Sequence, residues 1–311
     1  MLSILADDSL EGRGTGTRGS AKAARYIADE MRRAGLREGG DSGYFQRVPL
    51  ALASTPSGGR RAVLLGGWAE RDSLPPDRRL TGVNVVGILD GSDETIRSQV
   101  VLVDAHYDHL GIGPAIGGDS IYNGADDDAS GTVGVLQIAR ALATGSGTRR
   151  TIVFLATTGE EVGLLGTRWY VGHPALPLER TVANLEIEMI AHPDSLAGGS
   201  GRGWLTGYER STTGDLLRNA SVAIVPDPRP EQRFFERSDN IAFAMRGIPA
   251  HTLSSFNLMT PYHSPSDEVR IADIGHMTAV IRSAVLATRL LADGPVPAWK
   301  PRMRPAASPL R

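Results

Sequence analysis

From Val83 the chain alternates apolar runs with helical segments, and this rhythm limits the accessible folds more than any other feature. VNVVGIL (83–89), VVLVDA (100–105) and TIVFLAT (151–157) are near-continuous, β-branched and of strand length, which marks strands buried on both faces. Between the last two lies TVGVLQIARALA (132–143), with helical periodicity. The pattern predicts an α/β fold: a single three-layer domain with a mostly parallel, doubly wound sheet flanked by helices. VANLEIEMI (182–190) and IPAHTLS (248–254) extend it as strands, and 212–220, 240–246 and 274–292 as helices. Upstream, 20–35 sets Ala24, Ile27, Ala28 and Met31 on one helical face, with Ser20 as its cap and Gly35 as its stop. Segments 54–67 and 71–79, rich in Ser, Gly, Pro and Arg, read as loops around a short apolar run at 62–65.

With 41% hydrophobic residues in 311 and no internal repeat, one domain over 1–293 followed by a Pro/Arg-rich tail, 294–311, is the simplest division. The net charge of -2, from 33 basic and 35 acidic residues spread along the chain, provides no basic block for nucleic acid or an anionic membrane. No run reaches the roughly 20 apolar residues of a membrane span. Asp7 and Asp8 stand where a signal peptide needs an apolar stretch, so a soluble chain is expected. The sequence specifies no oligomeric state.

There is no cysteine, so a metal would be held by His, Asp and Glu alone. In doubly wound sheets ligands sit beyond the carboxyl ends of the strands. Polar residues gather at such places here: His106-Tyr107-Asp108 after VVLVDA, the GADDDASG loop, Glu160-Glu161 after TIVFLAT, and Pro-Tyr-His at His263. Carboxylates crowded into one cleft repel one another unless a cation neutralises them. Imidazoles mixed with carboxylates favour zinc over magnesium or calcium. Two such ions, roughly 3.5–4 Å apart and bridged by one carboxylate, form the paired site of many hydrolases.

These residues, together with LEGRGTGTRGSAKAARYIADEMRRAGL near the start and YHSPSDE near the end, resemble the dizinc exopeptidases. That family includes bacterial secreted leucyl aminopeptidases, glutamate carboxypeptidase, glutaminyl cyclase and the transferrin receptor ectodomain. The resemblance implies two zinc ions per chain, with His106 and His263 as imidazole ligands, Asp127 as the bridging carboxylate and Glu161 as a further ligand. It makes Glu160 the general base that takes a proton from a metal-activated water. Asp108 becomes the acceptor that orients His106, and Tyr262 the phenol that steadies the oxyanion. The family places an aspartate just before a methionine at the end of a strand, where this chain has Glu188 before Met189. Alternation puts Glu186 and Glu188 on the same strand face, and position nearer the carboxyl end selects Glu188 as the remaining ligand.

By the same resemblance Asp128 orients the site across the peptide that follows Asp127, while Asp126 is expected to bond loop backbone. His109 reads as a loop or rim residue, and His173, His192, His251 and His276 as ordinary residues. Asn240 follows Ser238-Asp239 where the family usually has histidine. No GxSxG elbow follows a strand, which sets a serine hydrolase aside. The expected activity is an aminopeptidase acting on peptides and, by resemblance, secreted or periplasmic. A carboxypeptidase, a glutaminyl cyclase and a non-catalytic relative that lost its zinc are the alternatives on the same framework, and the complete ligand set argues against the last.

Overall fold

A computed structural model describes residues 1–56 and 58–306. Among these residues twelve strands run in chain order: β1 Arg37–Glu38, β2 Phe45–Ser54, β3 Arg60–Leu64, β4 Arg79–Leu89, β5 Val100–His106, β6 Gly111–Ile116, β7 Asp119–Tyr122, β8 Thr151–Thr157, β9 Thr181–Ile187, β10 Gly203–Leu205, β11 Ile224–Pro226 and β12 Ala250–Ser254. Eight α-helices accompany them: α1 Leu2–Leu5, α2 Arg18–Arg33, α3 Trp68–Ser73, α4 Gly131–Ala143, α5 Leu165–Gly172, α6 Thr212–Asn219, α7 Asn240–Ala244 and α8 Ile274–Asp293. Ten strands form one sheet in the order β11-β10-β12-β9-β5-β8-β4-β2-β3, with β1 on β4, while β6 and β7 make a separate hairpin.

The sheet is mixed. Its centre, β12-β9-β5-β8, is parallel, whereas β4, β2 and β3 on one flank and the β10–β12 pairing on the other are antiparallel. Side-chain alternation divides the core into two layers. Val101, Val103 and Ala105 of β5 pack with α2, α4 and α8, while Val100 and Leu102 join Tyr170, Phe243 and Ile248 on the opposite face. The central strands are therefore buried on both faces, as their continuous apolar runs predict.

Helix ends follow local chemistry. The cap of α2 is Thr17, whose hydroxyl accepts from the Ser20 backbone N–H at 3.3 Å, so Ser20 is the third helical residue and not the cap. Ala23, Ala24, Ile27, Ala28 and Met31 form its buried stripe. Asp273 caps α8 through the His276 N–H at 2.9 Å. At the start of α4, a Cβ on Gly131 would lie 2.1 Å from the Ile187 carbonyl oxygen. Glycine there lets the loop carrying Asp127 press against the end of β9.

Two expectations change. The segment read as loops around 62–65 forms β3, paired antiparallel with β2, and is followed by α3; pairing to a neighbouring strand, not intrinsic periodicity, holds it extended. The strand expected over 182–190 ends at Ile187, and Met189 adopts a positive φ of 49°, which turns the chain away from the sheet at Glu188. Of the Pro/Arg-rich segment, 307–311 lie outside the described residues. Trp299 donates its indole N–H to the Gly247 carbonyl and packs against Phe235 and His251.

Asn84 on β4 ties the sheet to the loop that follows β8. Its amide donates to Gln46 Oε1 and the Gly166 carbonyl, each at 2.9 Å, and its carbonyl accepts from the Thr158 N–H at 3.1 Å, all buried. Asn84→Ala strands these groups and should lower unfolding free energy by roughly 2–4 kcal/mol in denaturant titration, a loss far above the scatter of ordinary surface substitutions.

Candidate metal centre

Five chain segments bring the expected residues to one edge of the sheet. His106 is the last residue of β5, Glu160 and Glu161 follow β8, Glu188 follows β9, and His263 lies in the loop after β12. Asp127 sits in the irregular turn Ala125–Ser130 ahead of α4. The His106 Nδ1 lies 3.1 Å from the Asp108 backbone carbonyl, so it carries a proton there and turns Nε2 toward the cleft. That Nε2 stands 3.3 Å from Asp127 Oδ1 and 4.0 Å from Glu160 Oε2. His263 Nε2 stands 3.3 Å from Asp127 Oδ2 and 3.0 Å from Glu161 Oε2. Asp127 thus turns one oxygen to each imidazole.

Ligand atoms of His106, Asp127 and Glu188 lie within 4.8 Å of one another, as do those of His109, Asp127 and Glu161. Asp127 belongs to both groups, the arrangement a bridging carboxylate requires. The buried Nε2 atoms of His106 and His263 have no hydrogen-bond partner. Lone pairs and carboxylate oxygens facing each other in a buried cleft call for a cation or protons between them. An all-nitrogen and oxygen donor set of this kind fits zinc.

Without metal, protons fill that need. Burial raises Glu160 well above the usual carboxylate range, and burial with Glu186 nearby pushes Glu188 up to about 8. Burial alone would lower His263, but Asp127 and Glu161 outweigh it and raise the imidazole to about 10. Asp127 moves the other way: burial opposes its charge, yet His109, His106 and His263 together hold it well below its ordinary value.

The turn around Asp127 explains the run of three aspartates. Asp128 Oδ1 accepts from the Met189 and Gly131 N–H groups, Asp126 Oδ1 from the Ala191 N–H at 2.8 Å, and Ser130 Oγ from the Ile190 N–H at 2.9 Å. Three successive amides after Glu188 are thereby fixed to the Asp127 turn. The turn is held in place from the other side by Asp267, whose two oxygens accept from the Asp126 and Asp127 N–H groups at 2.9 and 3.1 Å. Buried Arg13 donates to the carbonyls of Leu5, Tyr107, Asn123 and Gly124.

Several expected roles are redistributed. The contact expected of the Asp108 carboxylate is made by its main chain, and the carboxylate instead accepts from the Glu160 N–H at 3.2 Å and from Thr15 Oγ1 at 2.8 Å. His109 is not a rim residue. It is buried, its Nδ1 lies 2.6 Å from Glu161 Oε1, and Gly124 packs against its ring because no Cβ is in the way. Glu186 points away from the metal cleft and accepts from Ser238 Oγ, the Asp239 and Asn240 N–H groups and Thr252 Oγ1. Asn240, at the position where histidine is usual, donates its amide to the Phe235 carbonyl at 3.1 Å. Tyr262 stacks on His263 with ring centres 3.9 Å apart. His251 and His276 pair with Ser211 and Ser255, and His173 stacks on Trp169.

An α/β domain that gathers carboxylates and imidazoles around one shared aspartate has the architecture of a two-metal hydrolase. Residues 84–287 match Peptidase family M28, and the chain belongs to that family. A protein of Aspergillus oryzae described as "probable leucine aminopeptidase 2" is 33% identical over 175 residues, covering 55% of this chain and 33% of that protein. "Leucine aminopeptidase 2" of Trichophyton equinum is 30% identical over 230 residues, 66% of this chain and 44% of that protein. The chain spans less than half the length of these relatives. In fold it is similar to a zinc aminopeptidase from Bacillus subtilis, with TM-score 0.69, 16% identity, and coverage of 100% of this chain and 97% of that one. An aminopeptidase from Aneurinibacillus sp. strain AM-1 gives 0.64 at 16% identity, over 96% and 94% of the two chains.

Because His263 at about 10 and Glu188 at about 8 hold protons at pH 7 in the metal-free protein, a metal must displace them. Zinc affinity should rise with pH, and calorimetry in buffers of different ionisation enthalpy should show net proton release at pH 7. A binding enthalpy indifferent to the buffer would contradict this electrostatic picture.

Proposed function

We propose that this chain is a two-zinc aminopeptidase that removes N-terminal residues from peptides. The observation that carries the reading is Asp127 standing between two groups of ligand atoms, His106 with Glu188 and Glu161 with His263. His109 supports Glu161 from behind. Zinc held by these residues would supply Lewis-acid polarisation of the scissile carbonyl and a water acidified to near neutrality.

The chain's own groups do the rest. Glu160 lies at the cleft beside His106, its backbone N–H fixed by Asp108, and burial raises its carboxyl above the ordinary carboxylate range, the direction that favours a general base. It accepts a proton at its carboxylate and returns it to the leaving amine. The Tyr262 phenol is held above its ordinary pKa, first by burial and then by the surrounding carboxylates. It therefore stays protonated and donates to the developing oxyanion. Carboxylates lining the cleft, Glu160 and Glu188 among them, offer acceptors for a free substrate ammonium, which favours the amino end over a carboxypeptidase or cyclase reaction. No helix among the described residues is long and apolar enough to cross a membrane, and an extracellular or periplasmic site of action accompanies this reading.

Chelation should abolish hydrolysis of leucine anilide and zinc should restore it. Glu160→Gln keeps the shape and removes the base, so kcat should fall by roughly 10² to 10⁴ with zinc content nearly unchanged, whereas Glu161→Gln should lose metal as well. Equal zinc loss in both variants would overturn the division of roles.

The two glutamates of β9 and its end separate in the same way. Glu188→Ala should lose one metal equivalent and most activity. Glu186→Ala strands four buried donors and should cost roughly 3 kcal/mol or more of stability while keeping both zinc ions. N-acetylated substrates should resist cleavage, and their hydrolysis from the carboxyl end would refute the aminopeptidase reading.

A further inference from the structure

The cleft beside the ligands is a cavity of about 390 Å³. One wall is a continuous run of aromatic rings that begins at the metal ligands. Tyr262 stacks on His263 at 3.9 Å, Phe256 lies 5.4 Å from Tyr262, Phe234 6.1 Å from Phe256, and Trp204 stacks on Phe234 at 5.3 Å. A cation flanks the far end of the run: the Arg237 guanidinium carbon lies 5.0 Å from the centre of the Phe234 ring.

Among the described residues Arg237 is the sole lysine or arginine lining this cleft, whose other charged lining residues are carboxylates and His263. The adjacent carboxylate does not neutralise it. Glu236 accepts from Arg233 Nε at 2.7 Å and lies 3.8 Å from Arg210. Among the described residues the Arg237 guanidinium has no hydrogen-bond or ion-pair partner.

Its side chain is exposed, while its main chain is held in place. The Arg237 N–H donates to the Phe234 carbonyl at 3.0 Å, and the next three residues are tied to buried Glu186 through the Ser238 hydroxyl and the Asp239 and Asn240 amides. A guanidinium stacked on an aromatic face keeps its in-plane N–H groups free, and these match a carboxylate in two-point geometry. Once metal neutralises the carboxylates at one end of the cleft, the unmatched charge at the other end is positive.

We propose that Arg237 forms a carboxylate-binding subsite at the end of the aromatic wall, which selects substrates carrying a negative charge close to the scissile bond. The shared chemistry is a carboxylate. It has two sources: the side chain of an N-terminal acidic residue, or the free C-terminus of a dipeptide. The inference rests on the peptidase reading for its biological use, while the subsite itself can be tested by binding alone.

The test measures equilibrium binding by calorimetry to the zinc-loaded Glu160→Gln protein, in which turnover is suppressed, with and without Arg237→Gln. One matched pair is glutamic acid α-amide against glutamine α-amide; the other is Leu-Leu against Leu-Leu amide. The subsite requires the charged member of at least one pair to bind about tenfold more tightly, a charge-assisted hydrogen bond's worth, and the pair that discriminates identifies the source. Arg237→Gln should bring that ratio close to one, and Arg237→Lys should keep part of it. Ratios near one for both pairs in the parent, or a ratio that survives Arg237→Gln, would overturn the subsite. Wild-type turnover of leucine anilide reports separately on the aminopeptidase reading, so its absence would sink that reading and leave the binding result standing.

Discussion

The architecture depends on holding one carboxylate, Asp127, where it can face two imidazoles at once. Nothing about an aspartate in a loop guarantees that position. It is imposed by long-range bonds to main chain: Asp267 grips the amides of Asp126 and Asp127, and Arg13 grips the carbonyls of Asn123 and Gly124 just ahead of them. Asp126, Asp128 and Ser130 then fix the amides of residues 189–191. The turn that carries Asp127 therefore also places Glu188. Such bonds to buried backbone groups are costly to break, which makes the site a rigid part of the fold.

Electrostatics set the second condition. Asp127, Glu160, Glu161 and Glu188 share one cleft, and just beneath it Asp104, Glu186 and Asp239 form another close group of buried carboxylates. The two groups are treated differently by the chain. Glu186 in the deeper one is met by four protein donors, two of them backbone amides, so its charge is spent on ordering residues 238–240. In the cleft, imidazole nitrogens and carboxylate oxygens face one another with buried Nε2 atoms left without partners. The deeper group orders residues 238–240, and the upper one turns its donors into the cleft.

Much of this was legible in the sequence. The buried parallel strands announced themselves by unbroken β-branched runs, and the rule that ligands gather beyond strand ends drew attention to His106 and Glu160-Glu161 before any geometry, while Glu188 came from the family resemblance. The flanking antiparallel strands were less legible, because β3 is short, follows a Ser/Gly/Pro-rich stretch and is extended by its partner β2. Placement of His109 failed for a related reason: its burial comes from packing against Gly124 and Glu161, residues 15 and 52 positions away, and adjacent sequence carries no trace of that contact. Arg13 and Asp267 act wholly or largely on backbone groups, which have no residue code, so only the folded chain shows what they hold.

The central claim is that Asp127 bridges two zinc ions, and anomalous diffraction at the zinc edge from crystals of the metal-loaded protein tests it most directly. The account predicts two peaks roughly 3.5–4 Å apart on either side of the Asp127 carboxylate, one next to His106 and Glu188 and the other next to Glu161 and His263. A single peak, or density for zinc between Asp104, Glu186 and Asp239 with the Asp127 cleft empty, would contradict it.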